Sequence, residues 1–489
     1  MTSIRKAVLI SFAENYSTMF IGFIGIMLIA RLLTPEEIGI YSVASAVTGI
    51  AHMMRDFGVG SYLVQEQELT RERIQTALTV AIMTSWAAGG ILYLSSPWAA
   101  VFYNEPGLMD LIRIQCVNFL IMPFTAPVLS LLHRDMQFSV LYRINVACSV
   151  IQTIVSVSLA VLGYGYMSLA WASVANVMCL MLLVNAVRPH DAWIMPGLKE
   201  WRRIANFGVQ TSVAAIVTEI AMNMNDLILG RLLGFQAVAL YSRAQGLIYL
   251  FHRDMMNAVR KVAFPAFAQA VRENRDLLKA YLLSVNYITV FAWPFYAFLG
   301  LYADSIVRLM FGDQWDASIP LVRILVFAGA VGAFWNLWSS ALLAMGHVNK
   351  TMRSELIIQP IRIVLIFFAA SISMEMTCYA LIIIYILQLL ISTHYLKQSI
   401  GLNLKILLLN NINSFAVTLI SMVIPVLCYT YLSAQFSPIQ SLLIGAITCI
   451  PSWLLGIFIV RHPICVELTR LLGNRPELQS CNSNTREKL

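Results

Sequence analysis

From Val8 almost to the C-terminus the chain is written in solid apolar blocks of roughly 20 residues, parted by short polar turns. That is the length a helix needs to cross about 30 Å of hydrocarbon. Strands of a transmembrane barrel would alternate over about 10 residues, and unbroken runs such as Ile361–Ile372 and Ala380–Ile391 do not. The pattern predicts spans over Val8–Ala30, Ile38–Asp56, Ala77–Phe102, Leu108–Leu132, Leu141–Leu162 and Met167–Val187. It continues with Gly208–Gly230, Ala237–Val259, Tyr281–Tyr302, Ile319–Met345, Glu355–Ser373 and Cys378–Tyr395, then Ile406–Tyr431 and Ile439–Val460. The expectation is an all-α polytopic membrane protein of about fourteen helices.

Composition agrees, with 59% hydrophobic and 12% charged residues among 489 and a mean hydropathy of +0.74. The first run follows Arg5 and Lys6 without a small-residue cleavage site, so it reads as a retained span rather than a signal peptide. The eight cysteines are scattered through apolar runs with no C-x-x-C pair, as buried thiols would be.

Charge sets the predicted sidedness, because Lys and Arg concentrate in cytoplasmic loops. A cytoplasmic N-terminus places most cations inside, Arg55 and Arg134 among them. It leaves only Arg31, Arg113, Arg231, Arg243, Arg308, Arg323 and Arg362 for the membrane or the far side. Both termini are then cytoplasmic, and the net charge of +8 is mostly topological. Cations split among loops, without stacking aromatics, argue against a nucleic-acid partner.

The chain also repeats itself. RLLTPEEIGIYS from Arg31 returns as RLLGFQAVALYS from Arg231, and His52 falls on His252 at the same offset of 200 residues. At an offset of 210, Arg113 aligns with Arg323 and Arg143 with Arg353. Six spans in each copy make the repeat parallel, and transporters built on parallel repeats place their site where the two bundles meet. The organisation predicted is a six-helix bundle over 1–190, a cytoplasmic linker over 191–206 and a second bundle over 207–397. Two additional spans over 398–461 and a polar tail over 462–489 complete it.

Three phrases carry a family resemblance: DFGVGSYLVQEQELTRERIQTAL from Asp56, LLHRDMQFSVLYRINVACSVIQTIVSVSLAVLGYGYMSLAWASV from Leu131, and MNDLILGRLLGFQAVALYSRA from Met224. Over about Ala7 to Lys397 the chain resembles bacterial polysaccharide exporters of the Wzx type. These form the polysaccharide branch of the multidrug, oligosaccharidyl-lipid and polysaccharide exporter superfamily. The resemblance implies two six-helix bundles around a V-shaped cavity that opens alternately to each side. It also implies a flippase carrying an undecaprenyl-diphosphate-linked oligosaccharide across the bacterial inner membrane, with a polysaccharide polymerase and export machinery as partners.

Charged groups inside the bilayer cost about 2.5–3.5 kcal/mol each on insertion scales and tend to mark pathways. Glu219, Asn223 and Asp226 share one helix face at i, i+4, i+7, and Glu14, Thr18, Gly22 and Gly25 share a stripe on the first span. These stripes could line a path, with Glu14 and Glu219 carrying a coupling H+ or Na+, or they could glue helices together. Arg113, Arg243, Arg323 and Arg362 are the cations that topology excuses least. Guanidinium offers a bidentate fork for a lipid diphosphate, and Arg362 lies nearest mid-span; for the other three, snorkelling to the interface competes. Arg31, Arg231 and Arg308 read as interfacial anchors.

No H-e-x-x-H or G-K-[ST] motif occurs, so neither a metal site nor ATP hydrolysis is expected and no cofactor is called for. Two rivals stand. A multidrug/cation antiporter would want an anionic, aromatic pocket, and here the arginines outnumber the acids. A membrane-embedded polymerase or ligase would want catalytic groups on a sizeable external loop, and these loops are short.

Overall fold

The computed structural model describes residues 2–56, 58–66, 69–188, 197, 199, 201–432 and 437–471. Half of the predicted 191–206 linker and the tail beyond Leu471 lie outside the described residues, and residues 201–206 of that linker are helical. Every regular element among them is helical. Ten are long and apolar enough to cross a membrane, which makes this a multi-pass membrane protein. The predicted spans Ile38–Asp56, Gly208–Gly230, Ala237–Val259 and Glu355–Ser373 are helical too but are not among those ten. They carry the charges: Glu219 and Asp226 in one, Lys350, Arg353, Glu355 and Arg362 along another helix.

The chain divides into two compact units, Met1–Leu240 and Tyr241–Leu489. The first holds α1 (Thr2–Leu32), α2 (Pro35–Asp56), α3 (Val59–Gln65), α4 (Arg71–Tyr103), α5 (Gly107–Ile121), α6 (Ala126–Arg134), α7 (Phe138–Val161), α8 (Met167–Ala186) and α9 (Trp201–Leu232). α10 (Phe235–Tyr249) begins in it and ends in the second unit. In the first unit α1 packs on α7, α7 on α8, α8 on α5 and α5 on α4. α9, assigned by sequence to the second bundle, packs here against α2 and α4. Leu63 of α3, Ala77 of α4, Leu132 of α6 and Val184 of α8 are fully buried in one apolar cluster.

The second unit continues with α11 (Met256–Arg272), α12 (Leu277–Leu301), α13 (Ala303–Phe311), α14 (Ile319–Trp335), α15 (Trp338–Ala344), α16 (Val348–Ala370), α17 (Met374–Ile400), α18 (Leu404–Asn410), α19 (Ile412–Leu432), α20 (Pro438–Val460) and α21 (Ile464–Leu471). α12 packs on α14, α14 on α17 and α17 on α16, while the α19–α20 pair packs on α12 through α19.

The duplicated phrase makes its turn by two different means. At Thr34 a reciprocal cap forms: the Thr34 backbone N–H donates to Glu37 Oε2 at 2.8 Å and the Glu37 N–H to Thr34 Oγ1 at 3.3 Å, with Pro35 opening α2. The second copy has Gly234 at φ +85, a conformation favouring glycine. Three spans read as continuous are broken, the one over Ile406–Tyr431 at Asn411, between α18 and α19. A 3₁₀ turn over Met122–Phe124 holding Pro123 separates α5 from α6, and Asn336 and Leu337 interrupt α14 and α15.

The last helices are held by buried polar contacts that hydropathy does not reveal. Asn286 Nδ2 donates to the Asn410 carbonyl at 2.7 Å, and Thr289 Oγ1 lies 2.8 Å from Asn411 Oδ1 and 2.9 Å from Ser414 Oγ. Ser414 Oγ meets His462 Nε2 at 3.1 Å. Burial pushes His462, just past α20, down to about 4. A neutral imidazole favoured by folding contributes stability that is complete above about pH 6.5 and lost as pH falls toward 4. Detergent-solubilised protein should therefore melt at a lower temperature across that window, and His462→Gln should flatten the dependence; an unchanged slope in the variant would refute the role.

Candidate functional site

The second unit gathers its polar and aromatic side chains from four segments. α10 contributes Tyr241, fully buried with its hydroxyl unpartnered. Immediately after α10 the chain widens into a π-helical stretch, Leu250–Met255, which carries His252. Such turns recur at functional sites because they re-aim a side chain out of the regular ladder. The end of α14 supplies Trp335 and α17 supplies Tyr385. Their rings and the His252 imidazole lie 5.4, 5.6 and 5.5 Å apart, mostly edge to face. Gly332 makes the approach possible, since a Cβ there would stand 2.9 Å from the imidazole and 3.0 Å from the Tyr385 ring.

Arg362 stands on α16, which packs against α17, the helix of Tyr385. It is half-buried, its Nε is buried without an acceptor, and no hydrogen bond or ion pair holds it among the described residues. A cation kept this way inside a membrane protein is expensive unless an anion or water meets it. Trp335 Nε1 and Gln359 Oε1 are likewise buried and unpartnered. On the other side of the ring cluster, Asn336 faces the His252 Nδ1 at 3.3 Å and accepts from Arg260 at 2.7 Å. The arrangement offers a fork for an anion, aromatic faces for a sugar ring and several free donors and acceptors.

The other predicted residues have separate neighbours. Arg243 lies over Phe311 and Trp315, 5.8 and 5.5 Å from the ring centroids, and Arg323 stands 3.9 Å from Asp304. In the first unit Arg113 stacks on Tyr93 at 4.9 Å. Glu219 and Asn223 are brought together: Asn223 Nδ2 donates to Glu219 Oε1 at 2.8 Å, against Gly49 of α2. Asp226, half-buried on the same helix, has no such partner among the described residues. Glu14 accepts from Asn145 of α7 at 2.6 Å, and Gly25 meets Thr153 of the same helix. That stripe therefore packs α1 onto α7.

A cavity of about 630 Å³ opens in the first unit, lined among others by Arg55, Thr125, Ser130 and His133. Arg55 binds His52 Nδ1 at 2.9 Å, and His52 stacks on Phe119 at 4.6 Å. Sequence reasoning assigned Arg55 to a loop on charge grounds and so missed it. It also passed over Tyr241, Trp335 and Tyr385, whose company with Arg362 comes from helices far apart in the chain. The pairing of His52 with His252 was the available signal, since each histidine packs against aromatic rings in its own unit.

Residues 28–320 match the family model described as polysaccharide biosynthesis protein. The chain is 26% identical to the teichuronic acid biosynthesis protein TuaB of Bacillus subtilis over 352 residues, covering 68% of this chain and 70% of the relative. It is 20% identical to the lipopolysaccharide biosynthesis protein WzxC of Escherichia coli, covering 68% of each. Among solved structures, the lipid II flippase MurJ in an inward closed conformation superposes with a TM-score of 0.72 at 15% identity, over 93% of this chain and 99% of that one, a likeness of fold. A model match over more than half of the chain decides the family: this protein belongs to the polysaccharide biosynthesis proteins, among the polysaccharide exporters its sequence resembles.

Proposed function

We propose that the chain is a flippase that moves undecaprenyl-diphosphate-linked oligosaccharide repeat units across the bacterial inner membrane by alternating access of two six-helix bundles, with both termini cytoplasmic. The observation that carries this reading is the Arg362 guanidinium, its Nε buried without a partner, on a helix packed against α17, which brings Tyr385 into the ring cluster with Trp335 and His252. A diphosphate suits a bidentate cation, and sugar faces suit aromatic rings. The names of TuaB and WzxC, and the MurJ-like fold, support a cargo of lipid-linked sugar. Arg113 and Arg243, each with an unpartnered Nε, are further diphosphate candidates, and Asn223 and Asp226 are candidates for sugar hydroxyls. Glu14 and Glu219 remain the candidates for H+ or Na+ coupling, each now with an amide partner that would have to release it.

Deleting the gene in the native host and fractionating its lipid-linked sugars tests the function. One defined repeat unit should accumulate on the inner leaflet while surface polymer disappears. Normal export would rule the reading out, and lost efflux of a cationic dye with intact polymer would favour the antiporter rival.

A further inference from the structure

α19 completes a groove of about 790 Å³ with α12 and α14, with walls including Trp293, Gly300, Arg323, Phe327, Phe415 and Val426. Phe327 is 63% exposed and Leu419 57%, so the walls present bare apolar surface. The few polar groups there are already engaged. Trp293 Nε1 donates to the Ala330 carbonyl, Tyr296 to that of Ile248 and Thr418 to that of Ser414. Arg323 is the exception, with half its side chain exposed and Asp304 at 3.9 Å, beyond hydrogen-bonding distance.

The two ends differ. Trp293 closes one by packing edge-on against Phe334 at 5.2 Å and Phe415 at 6.3 Å. Arg323 stands at the other, near Gly300 and Leu301 at the end of α12. Arg323 and Phe334 are eleven residues apart on α14, about 16 Å at about 1.5 Å per residue. That is close to half of the ~30 Å hydrocarbon thickness, the depth of one leaflet.

From this length, this wall chemistry and the single cation at the mouth, we infer that the groove holds an acyl chain of an anionic bilayer phospholipid, with the lipid phosphate on the Arg323 guanidinium. A phospholipid tail spans one leaflet and its phosphate sits at the hydrocarbon edge, where Arg323 stands. On the sidedness proposed above this is the outer leaflet, but the choice of ligand does not rest on that. The site gives α19, backed by α20, a task, clamping a lipid against α12 and α14, and takes Arg323 away from the sugar-carrying path.

Native mass spectrometry of the full-length protein in neutral detergent, with phosphatidylglycerol or phosphatidylcholine added, tests it. One phosphatidylglycerol per chain should be retained with about tenfold preference, the scale of a charge-assisted contact. Arg323→Gln should abolish the preference, and Ala297→Phe, which fills the groove, should abolish retention of both lipids. Equal retention of the two lipids, a preference that survives Arg323→Gln, or displacement of phosphatidylglycerol by equimolar undecaprenyl diphosphate would overturn the assignment. A second protein chain retained in place of lipid would overturn it too. Should a variant fail to fold, the wild type still decides. Phosphatidylglycerol brominated in its tail must quench tryptophan fluorescence more than brominated phosphatidylcholine, and Trp293→Phe must remove the difference; equal quenching overturns the site. None of these readouts measures sugar export, so the reading of Arg362 stands or falls separately.

Discussion

Replacing Arg362 by alanine is expected to lower the rate of polymer appearance at the cell surface by about ten- to a hundredfold, with protein abundance in the membrane unchanged. The magnitude follows from the loss of a hydrogen bond to a charged group, about 1.5–3 kcal/mol, at about 1.4 kcal/mol per factor of ten. Abundance should hold because no carboxylate or carbonyl among the described residues depends on this guanidinium, so its removal orphans nothing. Arg362→Lys keeps the charge and loses the planar fork, so it should fall between alanine and wild type. Undiminished surface polymer from the alanine variant would refute the role. A parallel loss of protein would reassign Arg362 to folding.

The second large effect is structural. A Cβ on Gly39 of α2 would stand 1.8 Å from the Phe235 carbonyl oxygen and 2.4 Å from its carbon, both backbone atoms at the start of α10. No side-chain rotation relieves that, so the two helix ends must part. Overpacking costs about 1–3 kcal/mol where side chains can shift, and a backbone obstacle sets the upper end as the expectation. Gly39→Val should therefore lower the thermal midpoint in detergent and abolish export. Gly22 is the matched control, with nothing within 4 Å of its would-be Cβ; Gly22→Ala should leave both readouts unchanged. A Gly39→Val protein that melts and exports like wild type would show that α2 and α10 do not approach as described.

What could be read from the sequence was what the bilayer dictates. Blocks of about twenty apolar residues had to be helices, and the described helices stand where those blocks predicted. In α2, α9 and α16 charged residues interrupt the blocks, which are still long enough to read as spans. Arg362 was visible because a mid-span cation has no cheap explanation. Its neighbours were not: Tyr241, Trp335 and Tyr385 are ordinary core aromatics until three helices bring them together. The π-helical stretch at Leu250–Met255 leaves no periodic signature, since one widened turn hardly shifts a hydrophobic pattern. Arg55 was hidden by the same charge rule that oriented the chain, because a cation near a cytoplasmic end is already explained. For the Glu14 stripe the residues alone left function and packing both open, since a carboxylate and two glycines on one face serve either, and Asn145 and Thr153 of α7 are what they meet.

The central claim, that an arginine set among aromatic rings helps carry a lipid diphosphate and its sugars across the bilayer, is tested most directly by reconstitution. Purified protein in liposomes would be given the host's undecaprenyl-diphosphate-linked repeat unit, and the unit's exposure to a membrane-impermeant glycosidase would be followed in time. The account predicts that wild-type protein equilibrates the unit between leaflets and that Arg362→Ala protein, folded and equally incorporated, does so at least ten times more slowly. Equal rates from the two proteins, or wild-type vesicles no faster than protein-free ones, would contradict it.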